Sequence, residues 1–256
     1  LVFLDDSDGD TGQVDPVTIT QYTSEITVDK AGELTVIETI TGDFPPDRHG
    51  LFRYWDLSDP QDPAIRFIPK DIEITMDGAQ VPVSMSWDQG KQFRVAKIGD
   101  PDQTLAEGKH TFEISYRVPG AISPEGEGSR FEWQPIAAGW SNRIDSADIT
   151  VTLPHTPTDT VCRLGRDSKC NQFTTNGKII TISASDLAPN TPVRVAAVFA
   201  QEASSQKTVP WPIAFDGVLG HSVVLVTLLS LLAAAAAAGA HILERRTRED
   251  NPGFPV

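Results

Sequence analysis

The stretch DFPPDRHGLFRYWD, residues 43–56, brings acids, a histidine, two arginines and aromatic rings together around one glycine. Such a set can do two kinds of chemistry: acid and base catalysis on a ligand, or an ionic clasp that ties up the chain's own charges. The strand just before it bears on the choice. In ELTVIETI, alternation places Leu34, Val36, Glu38 and Ile40 on one face and Thr35, Ile37 and Thr39 on the other. Glu38 therefore points into an apolar face, where an unpaired carboxylate costs several kcal/mol; it is either protonated or met by a cation. Arg48, His49 and Arg53 follow after a Pro-Pro corner that can return the chain beside the same strand. The reading favoured here is a structural cluster. Arg53 grips Glu38 through two N–H donors, His49 or Arg48 covers the rim, and Gly50 permits the tight passage between them. A β-bulge near Glu38 would reverse its facing and remove the reason for the pairing. The competing reading makes Glu38 and His49 the base and acid of a site.

Other chemistry-bearing patterns are weaker. Asp6, Asp8 and Asp10 have the alternating spacing of a calcium loop, but Thr11 stands where that turn needs glycine and Val17 where a bidentate glutamate belongs. Ser204 and Lys207 have S-x-x-K spacing without a helix or companion motifs, and LPHTP at 153–157 departs from a sorting signal at Pro157. No G-x-S-x-G, H-E-x-x-H or phosphate-binding glycine loop occurs. No catalytic residue, metal ligand or cofactor is assigned, and the expectation is a non-enzymatic protein. With 35 acidic residues, a glycosidase-like carboxylate pair stays open as the alternative, since its test is a separation in space.

The elements that must position these residues read as strands and turns. TITQYTSEITV and ELTVIETIT flank DKAG as a hairpin; IEITM, QVPVSMSW and KQFRVAKI add strands joined by short glycine turns, and KHTFEISYRV ends the series. PGAISPEGEGS looks like a boundary. RFEWQPI, SADITVTLP, DTVCRL, KCNQFTT, KIITIS and TPVRVAAVFA form a second set. The expected fold is all-β: two β-sandwich, immunoglobulin-like domains over 16–120 and 121–200, after a disordered acidic segment at 1–15. Cys162 and Cys170 flank a glycine-containing turn and suit a cross-hairpin disulfide in an oxidising compartment.

Net charge is −14, and the acidity lies before residue 242, because Arg245, Arg246 and Arg248 balance Glu244, Glu249 and Asp250. Such a body repels phosphate backbones, so nucleic acid is excluded as a partner. Ser222 to Ala240 is nineteen residues without a charge. As a helix it would be roughly 28 Å long, about the hydrocarbon thickness of a bilayer. A transmembrane helix is expected over 217–242, following a polar tether at 201–216 and preceding a tail at 243–256. Arg245 and Arg246 mark the cytoplasmic side by the positive-inside rule, which puts the preceding region outside; Trp211 and Phe215 suit the outer interface. Ala233/Ala237 and Ala235/Gly239 are each four apart, a small-residue spacing that lets helices approach. The partners expected are the bilayer and either further transmembrane helices of a longer chain or a second copy. Export needs a signal peptide, of which LVFL at the start reads as a remnant, and NPGFPV stops without a structural conclusion; a fragment is expected at both ends.

GELTVIETITGDF followed by RHGLFR, then WSNRI at 140–144, ADITVTLP, a cysteine pair around a glycine, and DLAPNTPVRVAAVFA resemble the bacterial predicted membrane proteins named domain of unknown function 2207. The likeness runs from about Ile19 to Gln201. It implies an exported signal, an extracytoplasmic β-rich region, transmembrane helices and a further C-terminal part, but no reaction. The expectation is then a membrane-anchored module of the cell envelope that binds an envelope protein or a ligand, with a carbohydrate hydrolase using paired carboxylates as the alternative.

Overall fold

The computed structural model describes residues 15–59, 65–88, 93–166, 168–200 and 223–249. Among these, sixteen strands precede one helix. The largest sheet has eight strands: β1 (Thr18–Val28), β2 (Leu34–Phe44), β4 (Lys70–Met76), β5 (Ala79–Gln80), β8 (Gly108–Val118), β11 (Ile144–Thr152), β14 (Gln172–Asn176) and β15 (Ile179–Leu187), in the order β14-β15-β11-β1-β2-β8-β4-β5. A five-stranded sheet holds β9 (Ile122–Glu125), β10 (Gly128–Ile136), β12 (Asp159–Leu164), β13 (Ser168–Lys169) and β16 (Val193–Phe199), in the order β13-β12-β16-β10-β9. A three-stranded sheet, β3-β7-β6, is made of β3 (Gly50–Asp56), β6 (Val83–Asp88) and β7 (Phe93–Gly99).

Alternation explains the layering. Along β2 the side chains of Leu34, Val36, Glu38 and Ile40 are buried while those of Thr35 and Ile37 are exposed, so one face of the large sheet is core and the other is solvated and rich in threonine. The core face meets both smaller sheets. Trp55 of β3 packs edge-on to Tyr116 of β8 with ring centroids 5.5 Å apart, and Tyr22 of β1 donates its hydroxyl to the Pro135 carbonyl of β10 at 2.8 Å. One hydrophobic cluster runs through all three sheets.

The expectation of a β-region followed by one C-terminal helix is met among the described residues. The division into two sandwiches at 120/121 meets a shared sheet instead: β1 pairs in parallel with β11, from Ile19↔Ile144 to Thr27↔Thr152. Both strands are buried on one face only, so local alternation and turn signals say nothing about which distant strand sits alongside. Two strands also lie where none was expected, β3 in GLFRYWD and β9 in the 119–129 stretch read as a boundary.

Cys162 and Cys170 form a disulfide across the β12–β13 hairpin, with Cα atoms 5.5 Å apart. The helix α1 (Val223–Glu249) contains a segment, Val224–Arg246, long and apolar enough to cross a membrane. It carries on through Arg245 and Arg246 where a tail was expected. Ala233, Ala235 and Ala237 are exposed on it, and a Cβ added at Gly239 would meet nothing within 4 Å. The acidic start before residue 15, the tether with Trp211 and Phe215, and residues 217–222 lie outside the described residues.

Candidate functional site

Strand β3 has two faces, and each builds something different. Leu51, Arg53 and Trp55 point into the core, while Phe52, Tyr54 and Asp56 alternate outward and stay partly exposed. The strand can lie this close to β7 because two glycines face each other. Gly50 pairs with Gly99, and a Cβ on Gly50 would stand 1.8 Å from the Ile98 carbonyl oxygen while one on Gly99 would stand 2.0 Å from that of His49. Both also hold positive φ, 153° and 129°.

On the inner face, Arg53 Nε donates to Glu38 Oε2 at 2.7 Å and Nη2 to Oε1 at 2.6 Å, a two-pronged ion pair whose side chains are 1% and 0% exposed. Tyr116 donates its hydroxyl to Glu38 Oε1 at 2.8 Å, Arg53 Nη1 donates to the Tyr54 carbonyl, and the guanidinium lies 4.9 Å from the Trp55 ring centroid. Burial alone would disfavour the Arg53 charge, but the Glu38 carboxylate outweighs it and holds its pKa above the ordinary value. Burial first, and then the same carboxylate, push the Tyr22 and Tyr116 hydroxyls well above their usual range, so both stay protonated as donors. Every strong acceptor of Glu38 is occupied from inside.

Arg48 and His49 do not cover that pair. Arg48 Nη2 reaches Asp15 Oδ2 at 2.5 Å, and His49 Nδ1–H donates to the Gln103 carbonyl at 2.9 Å, with the Asp100 carbonyl at 3.3 Å. They fasten the start of the described chain and the 100–105 loop. Position in sequence brought them near Glu38, but the extended course of β3 carries only every second side chain inward. Asp15, placed by expectation in a disordered segment, is thus tied down.

On the outer face lies a cleft of about 440 Å³ where the three-stranded sheet meets the five-stranded one. Strand register organises one wall: Phe93 of β7 is opposite Asp56 of β3 on one side and Asp88 of β6 on the other, a row Asp–Phe–Asp across the sheet. Two strand spacings put the outer Cα atoms about 9–10 Å apart. Tyr54 continues the β3 side. Across the cleft stand Glu132, Trp133 and Gln134 of β10, Arg194 of β16, and the small residues Ala137, Ala138 and Gly139. Glu132 is fixed by Arg130 Nη1, and Arg130 is held in turn 3.3 Å from Asp59 and 2.9 Å from Glu125.

One carboxylate of the cleft keeps unused capacity. Asp56 receives the Ser58 N–H and hydroxyl on Oδ1, at 3.1 and 2.6 Å, which leaves Oδ2 without a donor among the described residues. Trp133 is 6% exposed, and its indole N–H finds no acceptor among them; nor does the buried Nε–H of Arg194. None of these residues stands out in the sequence, because they come from five strands of two sheets; the alternation of LFRYWD could have placed Tyr54 and Asp56 on an outer face, but nothing local points to the rest. Among the described residues no group of three or more His, Cys, Asp or Glu is placed to hold a metal.

A family profile described as predicted membrane protein (DUF2207) N-terminal domain matches residues 18–199, the whole β-region. No curated protein sequence matches the chain. Among solved structures, similar folds include an M1 zinc metallopeptidase from Deinococcus radiodurans (13% identity, TM-score 0.39, covering 70% of this chain and 42% of that one). Native leukotriene A4 hydrolase from Saccharomyces cerevisiae is also similar (10% identity, TM-score 0.47, 71% and 29%). The chain thus spans less than half the length of these enzymes, and likeness at this level carries no argument about activity.

Proposed function

The chain belongs to the DUF2207 family of predicted membrane proteins, and we propose that its β-region is a binding module held beside the bilayer by α1, with the cleft between the three- and five-stranded sheets as the binding site. The observation that carries this reading is the contrast between two carboxylates: Glu38 of the inner pair is satisfied by the fold, whereas Asp56 at the cleft keeps Oδ2 without a donor among the described residues, with the partly exposed Arg194 across from it. In this reading the β-region lies outside the cell and Arg245 and Arg246 lie at the cytoplasmic end of α1.

A photo-crosslinking residue at Ala138, exposed on the cleft wall, should capture a partner or ligand in cells, while the same residue at Thr35, on the solvated face of the large sheet, should not. Equal capture at both positions, or none at Ala138, would overturn the reading. Orientation has its own test. In a Cys162→Ser, Cys170→Ser background, an impermeant thiol reagent should label Thr35→Cys but not Thr247→Cys in whole cells, and the reverse pattern would invert the topology.

A second reading, a carbohydrate hydrolase, draws on the Asp56–Phe93–Asp88 row. Its Cα separation of about 9–10 Å is compatible with carboxyl groups roughly 6.5–9.5 Å apart, the spacing that leaves room for a water between acid and base. Release of new reducing ends from envelope glycans by the full chain, abolished by Asp56→Asn, would select it.

A further inference from the structure

The cleft's lining carries both signs of charge together with aromatic rings, and we propose that its ligand is a neutral saccharide of one or two rings. This rests on the cleft being the binding site. The choice follows from what each ligand class would meet. An organic cation would find Asp56 and Asp88, Glu132 being already paired with Arg130, but also Arg194, which has no carboxylate partner among the described residues. An anion would find Arg194, but against the carboxylates of Asp56 and Asp88. Either ligand leaves like charges facing one another in a partly desolvated space.

A polyhydroxylated ligand uses both. Each sugar hydroxyl donates to a carboxylate and accepts from a guanidinium N–H, so Asp56 Oδ2 and the guanidinium of the partly exposed Arg194 both gain partners without a net charge being brought in. The rings serve the rest of the molecule. The C–H face of a pyranose is apolar and slightly positive, and it packs on the negative face of an aromatic ring; Phe93 stands between Asp56 and Asp88 in the same row, so a ring lying on it has a carboxylate at each edge. The volume of about 440 Å³ lies in the range of small-ligand sites. Ala137, Ala138 and Gly139 keep the opposite wall low.

The full chain in lipid nanodiscs is to be titrated with cellobiose, maltose and N,N′-diacetylchitobiose, and in parallel with a Lys-Gly-Lys tripeptide and with citrate, with saturation-transfer NMR reading ligand contact. At least one disaccharide should bind saturably. Asp88→Asn and Arg194→Gln should each weaken it about tenfold or more, the loss expected for one hydrogen bond to a charged group, while Thr35→Ala on the far sheet leaves it unchanged. Binding by the tripeptide or by citrate with no disaccharide bound would overturn the saccharide assignment and leave the cleft a binding site. Silence from all three disaccharides overturns it as well, and the Ala138 crosslinks then decide separately whether the cleft binds anything.

Discussion

The two faces of β3 handle charge in opposite ways. Inward, Arg53 and Glu38 are fully buried, meet each other through two hydrogen bonds, and receive Tyr116 and Trp55 as further partners. Outward, three residues further along the strand, Asp56 sits in a row with Phe93 and Asp88 at an open cleft and keeps an oxygen without a donor among the described residues. A buried ion pair whose capacity is used up internally specifies packing, whereas groups held in place with capacity left over are available for a ligand. The difference separates a fold determinant from a site although both draw on neighbouring residues of one strand.

The largest effect should come from splitting the inner pair. Glu38→Gln leaves the Arg53 charge buried without its counterion and should cost roughly 3–5 kcal/mol in urea unfolding, whereas Asp88→Asn at the cleft should stay within about 1 kcal/mol of wild type. Comparable losses would erase the distinction. Replacing the pair together, Glu38→Leu with Arg53→Met, should recover most of the stability, because the penalty of Glu38→Gln is that of an uncompensated charge.

The disulfide comes next. Cys162→Ser with Cys170→Ser releases a loop with a sequence separation of 8 and should lower stability by roughly 2–3 kcal/mol on the loop-entropy account. Since the hairpin it closes contributes no cleft residue other than by neighbouring β16, saccharide affinity should be unchanged at temperatures where the protein is folded.

The smallest effect is pH-dependent. His110 donates from Nδ1 to Asp77 Oδ2 at 2.7 Å and from Nε2 to the Ala106 carbonyl at 2.8 Å, so both ring nitrogens carry protons. Partial burial works against the imidazolium, but the Asp77 hydrogen bond outweighs it and raises the His110 pKa. Asp77 is lowered: a slight desolvation opposes, and the Thr111 N–H and His110 prevail. A raised histidine contributes stability that is fully present below its unfolded value near 6.5 and is lost as pH rises through the folded one. The lowered aspartate contributes above its unfolded value and is lost as pH falls through its folded one. His110→Ala should therefore cost most between about pH 4 and 6.5, up to about 1 kcal/mol given the exposure of Asp77, and little at pH 9. A cost independent of pH would show that packing of His110 against Phe44, at 5.6 Å, is what matters.

Where function lies in this fold explains what the sequence could tell. Strand positions such as TITQYTSEITV were legible because alternation with a buried face is a local signal, and Glu38 stood out because it broke that alternation. The pairing with Arg53 followed from the cost of leaving it alone. Arg48 and His49 misled because nearness in sequence is weak information once a chain is extended. The parallel pairing of β1 with β11, and with it the shared sheet, joins residues more than a hundred positions apart and leaves no local trace. The cleft was invisible for the same reason: Asp56, Asp88, Glu132 and Arg194 are ordinary surface-type residues until strand register places them around one space.

Thermal unfolding of the full chain in nanodiscs with and without a saturating neutral disaccharide reads both faces of β3 at once. At about 100 times Kd the ligand should raise the wild-type midpoint by roughly 5–10 °C. Tyr116→Phe, which removes a hydrogen bond to Glu38, should start from a lower midpoint and rise by the same increment, while Asp88→Asn should start near the wild type and rise by about half that increment or less. A wild-type midpoint that the disaccharide does not move, or an equal rise in Asp88→Asn, would contradict the account.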